Sequence, residues 1–223
     1  MKKNLLFVLC FIFVSIYSYA QNSVTDILSQ ADTVDDAVNT LKSIVYTEDV
    51  ASSRRLEAAQ ILAPLQEQLG DYKGANLSYS TAASLAGVQT VTGQRLLLGT
   101  VRCALSVGDV SEADFLLSTA FPFASEPTVT ALIKLYAVWS WIIKAENEDE
   151  LAGPISVLQS YVTLSDMQSV KPSLLLTLYH LTDDEKWAEQ LKNEFPDSPE
   201  VAVVLGEARL LPAPFWFFMI NKY

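Results

Sequence analysis

Histidine is almost missing from this 223-residue chain: His180 stands alone, and there are only two cysteines, Cys10 and Cys103. One imidazole provides no two-His metal site, and a catalytic pair of Cys103 with His180 is not expected, since Cys103 reads as a small buried hydrophobe. Near the end of an apolar helical stretch, His180 reads as a packed or solvated side chain. Glycine is scarce at 8 residues, and no Asn-Gly or Asp-Gly turn separates alternating runs, which argues against β-hairpins. Gly-rich phosphate loops, G-x-S-x-G elbows and H-E-x-x-H zinc helices are all missing. Positive charge is also short, with 15 Lys and Arg against 26 Asp and Glu for a net charge of −11. Such a balance opposes binding to nucleic acid or to anionic lipid, both of which need a basic surface. The carboxylates of "ENEDE" (146–150) and "TDDE" (182–185) fall at turns ahead of helices, where capping and helix-dipole chemistry explains them. Neither has the spaced D-x-D-x-D of a calcium loop. The expectation is a protein that is not an enzyme, with no cofactor and no metal.

Apolar residues are abundant instead, half of the chain, and part of the excess is at the start. Lys2-Lys3 precede the uncharged run Leu5 to Val14, and Ser18-Tyr19-Ala20 place small residues where a signal peptidase reads them. Residues 1–20 are therefore expected to be a secretory signal, cut after Ala20. An uncleaved anchor is the rival reading, although an apolar core of about ten residues is half the ~20 that span a bilayer. Loss of Lys2 and Lys3 takes the charge from −11 to −13 and leaves Cys103 as the one thiol, so no internal disulfide is expected.

Past the signal the apolar positions recur at helical spacing, broken by short acidic turns. Thr33 with Asp36, Ser165 with Gln168, and Thr182 with Glu185 resemble capping boxes, and Ser198-Pro199 marks a further helix start. In residues 69–87, Gly70-Asp71-Tyr72 is followed by Ala75, Tyr79 and Ala82 on one helix face. The same offsets return 38 positions later as Ala113, Leu117 and Ala120 behind Gly108-Asp109, and 38 positions earlier as Ala37, Leu41 and Ile44. A helix ending at Leu69 or Val107 needs a positive φ next, which glycine supplies. Two-helix units repeating at this period mean a solenoid.

The motif G-D-Y-x-x-A-x-x-x-Y-x-x-A in Gly70 to Ala82 resembles the second half of a tetratricopeptide repeat. Leu62 and Ala63 suit the first half, as do Tyr136, Trp139, Ser140 and Ile143 in a later unit. Gly153-Pro154 blurs that unit's second helix, and "PDSPE" (196–200) is similar to a turn of exported bacterial members. The resemblance covers roughly residues 31–210 and implies an all-α, right-handed solenoid of antiparallel hairpins. On this reading residues 21–211 are the repeat domain and 212–223 an aromatic tail.

The resemblance further implies a protein-interaction scaffold of the bacterial periplasm or envelope. It would hold a protein or peptide partner in a concave groove lined by the first helices. The implied groove positions are Gln60, Glu67, Arg95, Arg102, Lys134, Trp141 and Lys144. Arg95 and Arg102, seven apart on one face, could grip a carboxylate, with Trp141 as a flat apolar platform. The plainer alternative makes these cations balance an acidic surface and Trp141 part of the core. A glycan- or small-ligand-binding helical protein using Trp139, Trp141 and the tail aromatics is the competing class. In the tail, Phe215, Trp216, Phe217 and Phe218 follow two prolines and are too few to cross a bilayer, so membrane association is at most peripheral. They read either as a strap capping the last helices or as a contact for a partner.

Overall fold

The computed structural model describes residues 23–207, and these contain α-helices and short 3-10 turns with no strand. The expected signal (1–20) and the tail phenylalanines Phe215, Phe217 and Phe218, with Trp216, lie outside the described residues.

Eleven α-helices follow one another in the described chain. They are α1 (Val24–Leu28), α2 (Val34–Tyr46), α3 (Ser52–Gln68), α4 (Tyr72–Ala86), α5 (Val91–Ser106) and α6 (Val110–Ala120). After a 3-10 turn at Phe121–Phe123 come α7 (Pro127–Lys144) and α8 (Glu148–Val162). A second 3-10 turn, Ser165–Val170, leads to α9 (Lys171–Thr182), α10 (Glu185–Glu194) and α11 (Pro199–Val204). Each helix from α2 to α10 packs on the next, and α5 also packs on α7.

The periodicity lies in where the second helix of each pair begins. α2, α4, α6, α8 and α10 start at Val34, Tyr72, Val110, Glu148 and Glu185, spaced by 38, 38, 38 and 37 residues. Each is started by a short polar side chain that accepts a backbone N–H of the first turn: Thr33, Asp71, Asp109, Asn147 and Asp184. Unpaired N–H groups at a helix start need such acceptors, so one capping residue per period sets the phase of the repeat. The chain entering α4 and α6 is turned by Gly70 and Gly108, at φ 78° and 77°. There the amides of Asp71 and Asp109 reach back to the carbonyls of Gln66 and Ala104, both at 2.9 Å, closing the preceding helix in the Schellman manner. Before α10 the same place is held by Asp183, the one non-glycine residue of positive φ among those described, at 51°.

The small–large–small offsets turn inward. Ala75, Tyr79 and Ala82, then Ala113, Leu117 and Ala120, are buried, as are Leu41 and Ile44, while Ala37 is half-buried. Leu62, Ala63, Tyr136, Trp139 and Ser140 from the first helices are buried with them. The alanines let neighbouring helices approach while the larger residues fill the space between, at the density of a packed interior.

α8 runs unbroken through Gly153-Pro154, with only one backbone N–H lost at the proline. Two local expectations need correction. Ser165 opens a 3-10 turn rather than an α-helix, and its side chain caps nothing. Thr182 closes α9 instead of starting α10; its hydroxyl bonds back to the Leu178 carbonyl at 2.7 Å, and Asp184 takes the cap. Thr33 with Asp36 does cap α2, and Ser198-Pro199 does open α11, although the Ser198 hydroxyl makes no capping bond.

Candidate interaction site

The residues expected to line the groove all sit on the first helices α3, α5 and α7, and the structure gives their cations partners within the chain. Arg102 on α5 binds Glu67 on α3 through two parallel bonds, Nε to Oε1 and Nη2 to Oε2, both 2.7 Å. The Glu67 carboxylate is only 3% exposed and Arg102 28%. Around this fork, the Tyr79 hydroxyl donates to Glu67 Oε2 at 2.8 Å, Arg102 reaches the Tyr136 oxygen at 3.5 Å, and Cys103 Sγ lies 3.6 Å from Glu67 Oε1. The guanidinium carbon also stands 5.9 Å from the centre of the Tyr79 ring. One bidentate pair thus joins α3, α4, α5 and α7. A buried carboxylate is tolerable only when it is neutralised and its lone pairs are satisfied, and this one meets both conditions.

The electrostatics follow from that enclosure. Burial opposes the charge on Arg102, but the Tyr136 oxygen and the Glu67 bonds and charge outweigh it and raise its pKa above the ordinary value. Burial first, and the Glu67 charge second, push both the Tyr79 hydroxyl and the Cys103 thiol well above their usual ranges. Cys103 is therefore a protonated, enclosed thiol and a poor nucleophile at neutral pH.

The other cations are held at the surface. Arg95 pairs with Glu126 at 3.2 Å, Lys134 with Asp166 at 2.6 Å, and Lys144 with Asp114. Asp114 also accepts the Ser140 hydroxyl at 2.6 Å, tying α7 to α6. Arg95 and Arg102 do not converge on one carboxylate: each reaches a different acid on a different element. Gln60 is exposed on α3. Trp141 is 45% exposed, and its ring lies against Gly153 of α8, where an added Cβ would meet it at 2.7 Å. The glycine that blurred the sequence pattern is the seat of this indole. Trp139 is buried, its Nε1 donating to the Thr177 hydroxyl at 3.0 Å, so it offers no face to a ligand.

A set that the sequence did not single out is exposed instead. Phe115 on α6 is 68% exposed, Phe121 in the following turn 61%, and Leu77 on α4 56%; Phe123, in the same turn as Phe121, is also exposed. The turn is held from below, since buried Gln94 donates its amide to the Phe123 carbonyl. Leu77 and Phe115 are 38 apart, so the repeat itself could have revealed them as one position. An isolated apolar residue in a helix gives no sign of pointing outward.

Comparison with known proteins bears on the C-terminal part. Residues 143–223 match the family model described as the TP_0752_M middle domain. That stretch begins at Ile143 in α7, includes α8 to α11, and continues past the described residues. An uncharacterized protein of Treponema pallidum (strain Nichols) is 30% identical over 93 residues, which cover 42% of this chain and 24% of that protein. The chain thus spans about a quarter of the length of the curated relative it matches. No solved structure matches.

Proposed function

We propose that this chain is a non-enzymatic protein-interaction scaffold of the bacterial periplasm or envelope, built as a right-handed solenoid of tetratricopeptide-like hairpins. The observation that carries the reading is the succession of second helices starting every 37 or 38 residues, each hairpin packed on the next. Stacked units of this kind stabilise one another and present a long surface in place of a pocket, and such surfaces serve to hold other polypeptides. Export by residues 1–20 would place the protein outside the cytoplasm.

Within this reading the groove positions fall into two groups. Exposed pairs such as Lys134–Asp166 are screened by water and salt, so a partner's carboxylate can displace the acid and take the cation. Arg102 and Glu67 instead hold the wall of the groove in shape. The buried Trp139 disfavours the glycan-binding alternative.

The test is photo-crosslinking in cells. A photoreactive residue in place of Gln60 or Lys134 should yield a discrete adduct with an envelope protein, and the mature chain should begin at Gln21. No adduct from either position, or a chain retained in the cytoplasm, overturns the reading.

A further inference from the structure

Beyond their first turns, the helices α2, α4, α6 and α8 carry few charged residues, and the one partly exposed acid, Asp114, is paired with Lys144. Charged side chains ordinarily make up about a quarter to a third of a domain's surface, and this chain carries a net charge of −11. The scarcity is patterned. Leu77 and Phe115 occupy one register position, and at the next, Gly153, the half-exposed Trp141 indole lies over the glycine. Ser80, Ser118 and Ser156, all exposed, follow at the same 38-residue spacing. These helices are neighbours: Tyr46 of α2 bonds Ser78 of α4 at 3.0 Å, Asn76 of α4 bonds Glu112 of α6 at 3.2 Å, and α7 reaches α6 through Lys144 while resting Trp141 on α8. Along one border of this largely neutral face run the acids of the helix starts, exposed Asp35, Asp36, Asp71, Asp109, Glu148 and Asp149, with Lys73 the one exposed cation among them.

We infer that this outer face of the second helices docks an amphipathic helix of another protein, apolar toward Leu77, Phe115 and Trp141 and basic toward the acidic border. The inference rests on the scaffold reading above and assigns it a second surface, to which Trp141, expected in the groove, turns by lying on Gly153. Charge complementarity selects the occupant. An anionic membrane is repelled by the border, and a second copy of the chain brings the same acids with it. A basic flank is attracted by them.

The experiment uses the full chain and a synthetic peptide with leucines on one helical face and lysines on the other. Its glutamate counterpart, phosphatidylcholine vesicles and analytical ultracentrifugation serve as the comparison arms. The Leu/Lys peptide is expected to bind, and Leu77→Ser with Phe115→Ser to weaken it roughly tenfold or more with helicity unchanged. Lys134→Ala in the groove should leave the affinity alone. Absent binding, equal binding of the glutamate peptide, or affinity unaffected by the double serine variant overturns the inference. So does vesicle binding or self-association that the same variant abolishes. Groove crosslinks that persist when this docking fails leave the scaffold reading standing, which separates the two failures.

Discussion

Glu67 and Arg102 form a buried, bidentate pair that joins α3 to α5. Removing one partner of a buried, bidentate pair strands the other charge in the interior. Glu67→Ala or Arg102→Ala is therefore expected to lower the unfolding free energy by about 3–5 kcal/mol, read from urea denaturation. Replacing both with well-packed apolar residues should recover most of that loss, because no charge is then left unpaired. Equal losses in the single and double variants would show that packing, not pairing, holds the site. Cys103 beside them should react with a thiol reagent only after unfolding. Its thiol pKa is raised in the folded state, first by burial and then by Glu67, from an ordinary value of 9.0. A raised folded pKa means that the contribution is complete below the unfolded value and is lost as pH climbs from there toward the folded value. Stability should thus decline above about pH 9, and Cys103→Ala should remove the thiol's share of that slope while Tyr79 retains its own.

Helix by helix, the turns preceding second helices carry the phase. At Gly70 an added Cβ would meet nothing within 4 Å, so Gly70→Ala isolates the cost of the backbone at φ 78°. That cost is about 1 kcal/mol, measured as a lower midpoint in thermal or urea unfolding. Asp183 lies in the same conformation without glycine's freedom, so Asp183→Gly should raise stability by roughly 0.5–1 kcal/mol. If both substitutions moved stability in one direction, the shared role of the two positions would be refuted. The turns also show what the sequence could reveal about elements. Gly70-Asp71 and Gly108-Asp109 were legible because cap and glycine stand together. The α9–α10 turn was not: Thr182, Asp183 and Asp184 offer three possible caps in a row, and only the path of the chain selects Asp184. Likewise Gly153-Pro154 blurs the repeat pattern in sequence, yet α8 continues through Pro154, whose interior position costs about 3 kcal/mol that neighbouring contacts offset.

At the scale of the whole molecule, the proposed solenoid makes stability approximately a sum of unit and interface contributions, with the outer face of the last unit in need of a cover. If residues 212–223 form that cover, their deletion should lower the melting temperature, and an unchanged melting temperature assigns the tail to a partner instead. The sequence by itself determined the helical class, the period of 38 and the inward Ala–large–Ala faces, because capping and hydrophobic spacing are local properties of the chain. It could not say whether Arg95 and Arg102 would act together or what Trp141 touches, because those are questions of side chains on different helices, 12 to 35 residues apart. Only the tertiary structure gave Arg102 to Glu67, Arg95 to Glu126 and Lys144 to Asp114, and set the indole on Gly153. The physical reason is that charge neutralisation and close packing are satisfied between elements, while helix formation is satisfied within them.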